Sequence, residues 1–153
     1  MKDEIIWSEL EFGKHQGKTL PQIVLSDPDW FFWAFNNDVF KGQHAIEAKA
    51  LFEKATRIKI PKPDAENWAV EYRYDENGRF QGFSIFKIDS HMHSGSGQRH
   101  RERYLDLSCL SKSYDKGGGK RLIRDFRANY FDGRNLTKDR CEAFFDDDAK
   151  FAI

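Results

Sequence analysis

The sequence has few cysteines and no long hydrophobic run. Its two cysteines, Cys109 and Cys141, form no CxxC pair, and the charged start at residues 1–4 lacks the apolar segment of a secretory leader. We therefore expect a cytoplasmic protein with reduced, buried thiols. The longest apolar run, residues 30–35, is far shorter than the roughly 20 residues that cross a bilayer, so we expect no membrane association.

The sequence also lacks net charge, but its charges are unevenly distributed. Residues 91–140 contain 12 Lys and Arg against 6 Asp and Glu, an excess of six positive charges. Residues 1–90, with 12 against 15, and residues 141–153, with 1 against 4, are acidic. A basic stretch of this kind predicts attraction to a polyanionic partner.

Aromatic residues are abundant, with 14 Phe, 5 Tyr and 4 Trp in 153 residues. Each buried ring removes a large apolar area from water, so this content predicts a core built mainly on rings. Rings that stay outside would be available to stack on bases or to contact a partner protein.

The hydrophobic pattern predicts an α+β fold in a single compact domain over residues 1–153. Residues 1–60 would contain an N-terminal turn and helices, one of which begins at Pro28. The two prolines in residues 61–63 would form a rigid connector to the second part, residues 64–153.

The second part is predicted to be a small antiparallel sheet followed by two helices. Alternating residues over 67–88 predict a β-hairpin, and a third strand is predicted over 103–110. The first C-terminal helix would follow the three glycines at 117–119, and Asn135 or Thr137 would cap the second.

The three glycines at 117–119 have two interpretations. Free backbone amides at the start of a helix can bind an anion, and Arg124 and Arg127 follow on the same helix. The spacing is not that of a Walker loop, which disfavours nucleotide hydrolysis. We expect a flexible entry to the helix rather than a phosphate cradle.

A two-part motif lies in the first third of the chain. Residues 12–20 read Phe-Gly-Lys-His-Gln-Gly-Lys-Thr-Leu, and residues 27–33 read Asp-Pro-Asp-Trp-Phe-Phe-Trp. This pattern resembles the small C-terminal module of exonuclease X-like proteins and related small bacterial and phage proteins. The resemblance covers about residues 10–60, and the rest of the chain shows none.

The resemblance implies an accessory module that assists the binding of nucleic acid. In such a module Gly13 and Gly17 would make a turn, and Lys14 and Lys18 would project beside it. Trp33 would lie in the helix that packs behind the turn. The nuclease chemistry of exonuclease X-like enzymes belongs to a separate acidic domain, which this sequence does not show. On physical grounds, two lysines on one glycine-flanked turn can contact phosphates without reading sequence, or they can simply be solvated.

The leading hypothesis is therefore a nucleic-acid-associated accessory protein, of the kind that phages and prophages encode. It would bind the phosphate backbone of DNA or RNA without catalysis and without a cofactor. The predicted nucleic-acid-binding residues are Lys14, His15, Lys18, Arg99, Arg101, Arg103, Lys120, Arg121, Arg124 and Arg127.

Two alternatives belong to other classes. One is a protein-interaction factor that inhibits or redirects a host protein through exposed rings. The other is a divalent-metal nuclease, in which scattered acids, Asp89, Glu102 and Asp106, would hold Mg²⁺. The histidines His91, His93 and His100 match no structural zinc pattern, so we predict no metal site there.

Overall fold

The computed structural model describes residues 6–89, 98–110 and 115–153. These residues form an α+β fold, which confirms the predicted class. The elements in chain order are α1 (Leu20–Val24), α2 (Pro28–Asn36), α3 (Gln43–Ala55), β1 (Ile58–Lys59), β2 (Trp68–Tyr74), β3 (Phe80–Lys87), β4 (Gln98–Glu102), β5 (Tyr104–Leu105), α4 (Lys116–Tyr130) and α5 (Lys138–Asp146).

Strands β2, β3 and β4 form a three-stranded antiparallel sheet with β2 in the centre. The predicted hairpin is confirmed, because β2 pairs with β3 from Trp68↔Lys87 to Tyr74↔Phe80. Its turn is held by Asp75, whose carboxylate accepts hydrogen bonds from the backbone N–H groups of Asn77 and Arg79, both at 2.9 Å.

The third strand lies earlier in the chain than the predicted range 103–110. It is β4, whereas β5 pairs with β1 in a separate two-stranded sheet and Leu107–Leu110 form a 3₁₀ turn. Leu105, Leu107 and Leu110 of the predicted range are buried, the first from β5 and the other two from the 3₁₀ turn, whereas Tyr104 is 41% exposed. Strand β4 contains no apolar residue, so a search for hydrophobic alternation does not find it.

The core is one cluster of buried side chains that extends from Trp7 to Phe151. Rings dominate it, as the composition predicts: Phe31 and Phe32 of α2 are fully buried, and so is Phe126 of α4. Many of these rings meet edge to face, for example Phe31 on Phe32 with centroids 5.1 Å apart. In the described ranges, no helix combines the length and the apolar character that crossing a bilayer requires.

The three glycines form the first turn of α4 rather than a flexible entry to it. The carboxylate of Asp115 caps this helix by accepting a hydrogen bond from the backbone N–H of Gly118, at 2.8 Å. Gly118 and Gly119 are buried, and a Cβ on Gly119 would lie only 3.0 Å from Oδ1 of Asp29. The small residues therefore allow α4 to approach α2, and a carboxylate occupies the helix end where a phosphate would sit.

Candidate nucleic-acid interface

The glycine-flanked lysines lie on a tight loop, as predicted. The loop is closed by backbone hydrogen bonds from Leu10 N to Lys18 O (2.9 Å) and from Gly17 N to Leu10 O (2.8 Å). Gly13 and Gly17 adopt φ values of +73° and +86°, in the left-handed region that favours glycine. The loop therefore needs glycine at both positions of the motif.

Asp27 joins the two parts of the motif. Its Oδ2 lies 3.0 Å from Nζ of Lys14 and 3.0 Å from Nε2 of His15. The His15 ring also packs edge to face on Trp30 of α2, with centroids 4.8 Å apart. Trp33 lies in this helix, as predicted, but it is 48% exposed, and the ring of the helix that contacts the loop is Trp30.

Burial decides the role of His15. His15 is only 7% exposed, so its side chain holds the loop against α2 and does not face a ligand. Desolvation lowers the pKa of His15, against the attraction of Asp27. Its Nδ1 has no hydrogen-bond partner among the described residues.

Asp27 and Asp29 form a coupled pair of carboxyl groups beneath the loop. Burial raises the pKa of Asp29, and its hydrogen bond to Asp27 and the Asp27 charge raise it further, to about 6. Burial acts in the same direction on Asp27, but hydrogen bonds from Asp29, Lys14 and His15 outweigh it and lower the pKa of Asp27 to about 2. Asp27 thus carries the negative charge of the pair, and Asp29 favours the neutral form.

Arginines of the sheet share one face, which we call the arginine face (Arg73, Arg99 and Arg101). The register sets Arg73 opposite Arg99 and Glu71 opposite Arg101, so these side chains leave the sheet on the same side. Glu71 is 2% exposed and accepts hydrogen bonds from Arg99 Nη1 (2.8 Å) and Arg101 Nε (2.9 Å). The buried carboxylate explains how β4 can pair through charged residues.

A second group of cations lies along α4. Lys120, Arg124 and Arg127 are spaced by four and three residues, which places them on one side of the helix. They line a groove of about 380 Å³, together with Ser26 from the α1–α2 connection and a few apolar side chains. Lys120 and Arg127 are exposed and have no ion-pair partner within the described ranges.

Gly82 is where the two groups of cations meet. A Cβ on Gly82 would lie 2.8 Å from Nη2 of Arg73 and 3.5 Å from Nη2 of Arg124, and 2.6 Å from Oδ2 of Asp125. The guanidinium groups of the sheet and of α4 therefore approach one point. The absence of a side chain at Gly82 makes this approach possible.

The motif loop lies next to the α4 groove. Ser26 lines the groove, and the following residue, Asp27, holds Lys14. Consecutive Cα atoms are about 3.8 Å apart, so the backbone that carries the partner of Lys14 also borders the groove. The structure thus links the motif with α4 through Ser26 and Asp27.

The ten predicted residues differ in what they contact. Five contact carboxylates (Lys14, His15, Arg99, Arg101 and Arg124), and two donate to backbone carbonyls (Arg103 to Glu66 and Arg121 to Phe80). The side chains of the other three, Lys18, Lys120 and Arg127, are exposed without a polar partner among the described residues.

Sequence reasoning missed Arg73, although the signal was present. In β2 it is two residues from Glu71, so strand alternation already places both on one face. Its Nη1 donates a 2.5 Å hydrogen bond to Oγ of Ser84 in β3, which holds its guanidinium over the sheet.

The acids of the nuclease alternative do not form a metal centre. Glu102 and Asp106 line a common cavity, but Asp89 follows β3 and does not line it. Among the residues that the structure describes, no group of three or more His, Cys, Asp or Glu is placed to hold a metal ion. His91 and His93 lie outside the described residues.

Comparison with family models, curated proteins and solved structures finds no match for this chain in any of the three. The likeness of residues 10–60 to the exonuclease X-like module therefore stays a hypothesis that rests on the motif, and function has to be argued from the geometry.

Proposed function

We propose that this protein is a nucleic-acid-associated accessory protein that binds a phosphate backbone without catalysing a reaction. The proposal rests on one observation: the arginine face and the cations of α4 approach each other at Gly82. Arg124 lines the α4 groove and also approaches Arg73 of the arginine face. A chain of phosphates could follow the groove and continue on to the sheet.

The charges of this surface favour a polyanion. Among the described residues, the carboxylates of Glu71 and Asp125 contact these cations and hold arginines in place. The six cations of the two groups are Arg73, Arg99, Arg101, Lys120, Arg124 and Arg127, and of these Lys120 and Arg127 are exposed without a carboxylate partner among the described residues. Phosphates bind to such surfaces largely by releasing condensed counterions.

The proposal includes both DNA and RNA, because contacts to phosphates position a protein on a strand without reading its bases. Association with a phage or prophage is part of the same proposal and rests on the motif alone. Binding without catalysis is part of the same proposal, and the test for catalysis is whether nucleic-acid strands stay intact with divalent metal present.

Binding can be measured by the fluorescence anisotropy of labelled single-stranded and double-stranded DNA and RNA. For about four phosphate contacts, the affinity should fall about a hundredfold between about 50 and about 200 mM salt. The labelled strands should remain intact during incubation with Mg²⁺ or Mn²⁺. Binding that does not respond to salt, or no binding at low salt, would overturn the proposal.

The double variant Arg73→Ala/Arg124→Ala removes the two arginines that approach each other at Gly82, and so tests whether this part of the surface binds phosphates. It should weaken binding to all four nucleic acids by a similar factor, since phosphate contacts are not sequence-specific. Lys41→Ala/Lys49→Ala is the matched control, because it also removes two positive charges, from exposed positions that belong to neither group of cations. Capture of a stoichiometric protein from nuclease-treated lysate, with no nucleic-acid binding, would favour a protein-interaction factor instead.

A further inference from the structure

A cavity of about 440 Å³ lies on the side of the sheet opposite to the arginine face. In β2, Tyr72 and Tyr74 alternate with Glu71 and Arg73, so their side chains leave the sheet on the other side. The cavity is therefore separate from the surface proposed to bind phosphates. Its volume is in the range of sites that take small molecules.

Tyrosine rings form much of the cavity wall. Tyr72, Tyr74 and Tyr104 all line it. The hydroxyl of Tyr72 is engaged, because it donates to the Tyr104 carbonyl at 3.2 Å and accepts from the Asp106 backbone N–H at 2.7 Å. These hydrogen bonds fix the Tyr72 ring, which is buried and stacks on His100 with centroids 6.2 Å apart. The negative face of an aromatic ring attracts cations, and the guanidinium of Arg57 lies over the Tyr104 ring, with Cζ 6.0 Å from the centroid.

Asp106 places a carboxylate in this aromatic wall. Its Oδ1 accepts two hydrogen bonds from Ser108, from the backbone N–H at 2.8 Å and from Oγ at 2.6 Å. Its Oδ2 has no hydrogen-bond partner among the described residues, although Asp106 is only partly exposed. The side chain is thus held in one orientation with one acceptor oxygen unused.

Glu102 adds a second carboxylate to the cavity. One of its oxygens lies 2.5 Å from Nε2 of His100, and both residues line the cavity. Burial raises the pKa of Asp106, and the charge of Glu102 adds to the shift. No lysine or arginine in the described ranges lines this cavity. A bound cation would relieve the repulsion between the two carboxyl groups.

From this arrangement we infer that the cavity binds a small organic cation that carries N–H donors, such as an amidinium, a guanidinium or a primary ammonium. The cation would lie beside the Tyr74 ring and donate to Oδ2 of Asp106 and to Glu102. A metal ion fits less well, because the described residues provide no group of three ligands placed for it. This inference does not depend on the proposed binding of nucleic acid.

Benzamidinium and benzamide are suitable probes, because they share a ring and a planar end group but differ in charge. Isothermal titration of the full chain at neutral pH should show binding of benzamidinium at least about tenfold tighter than that of benzamide, equivalent to about 1.4 kcal/mol. Equal binding of the two probes, or no binding of benzamidinium at millimolar concentration, would overturn the inference.

Asp106→Asn is the decisive variant, because the asparagine Oδ1 can still accept both hydrogen bonds from Ser108. It should weaken benzamidinium binding at least about tenfold and leave benzamide binding unchanged. Glu53→Gln, at an exposed position of α3, removes one negative charge outside the cavity and should leave both unchanged. Thermal unfolding of each variant shows whether it is folded, and tight binding by folded Asp106→Asn would contradict the assignment.

Discussion

The Nζ of Lys14 lies 3.0 Å from Oδ2 of Asp27, and this contact joins the lysine of the first part of the motif to the first residue of its second part. His15 reaches the same oxygen. Lys14 and Asp27 are thirteen residues apart in the chain, and the Asp27 carboxylate brings them into contact. The two parts of the motif form one structural unit, whatever the motif binds.

The Asp27→Asn substitution should destabilise the protein. It removes the charge that holds Lys14 and His15, and it leaves the buried His15 side chain with a weaker partner. We expect a loss of about 1–3 kcal/mol in the free energy of unfolding, measured with urea. Lys14→Met should cost less, about 1 kcal/mol or below, because Lys14 is half exposed. An equal loss in both variants would contradict this account.

Asp29 should make stability depend on pH in the opposite direction from a usual carboxylate. Its pKa in the fold, about 6, is above its ordinary value of 3.8, so its contribution is fully present below about pH 4 and is lost as the pH rises through about 6. Asp29→Asn removes this dependence. It should therefore gain stability relative to the wild type, on the order of 1–2 kcal/mol, between pH 5 and pH 8.

The measurement for Asp29 is the difference in the free energy of unfolding between Asp29→Asn and the wild type at each pH. The lowered pKa of His15 acts in the other direction, because its contribution is present above its ordinary value of 6.5 and is lost as the pH falls. The contribution of Asp27 is lost only as the pH falls from 3.8 towards about 2, below the window measured. A difference that stays constant from pH 5 to pH 8 would show that Asp29 is ionised throughout.

Trp30 and Trp33 should respond differently to alanine, although both belong to the same motif and the same helix. Trp30 packs on His15 and Phe40, so Trp30→Ala should cost about 3 kcal/mol. Trp33 is half exposed, and its removal should cost below about 1 kcal/mol. Chemical denaturation of the two variants side by side checks this, and a reversed order would mean that α2 is rotated.

Gly82→Ala should be destabilising. The new methyl group would lie 2.6 Å from Oδ2 of Asp125 and 2.8 Å from Nη2 of Arg73, and Gly82 has a φ of +151°. Both of these atoms are ends of side chains that can shift, so a cost of about 1–3 kcal/mol is expected mainly from the strained backbone. Gly117→Ala in the first turn of α4 is the control, since its Cβ meets nothing closer than 3.7 Å. It should be neutral or stabilise by up to about 1 kcal/mol.

Local patterns in the sequence were enough to predict several elements. Strand alternation and turn chemistry gave the hairpin at 67–88, and proline position gave the start of α2 at Pro28. The pattern failed at β4, where Arg99 and Arg101 pair with a buried carboxylate of the neighbouring strand. The residue pattern within one strand cannot show that its charged side chains are neutralised by a residue of the neighbouring strand.

The candidate site was predictable in its residue types but not in its arrangement. The basic stretch and the glycine-flanked lysines were visible, yet whether a cation is paired depends on partners far away in the chain, as for Arg99 and Glu71. Gly82 shows the same limit, because its neighbours Arg73 and Asp125 come from a strand and a distant helix. Composition therefore predicts attraction to a polyanion, and tertiary structure decides which cations are available.

The salt dependence of nucleic-acid binding in a charge-deletion pair tests the central claim most directly. Lys120→Ala/Arg127→Ala should lower the slope of log affinity against log salt by about 2, because each lost phosphate contact removes about 0.9 from the slope on duplex DNA. Lys41→Ala/Lys49→Ala removes the same charge from exposed positions elsewhere and should leave the slope unchanged. Identical slopes for the two double variants would contradict a phosphate-binding surface on α4.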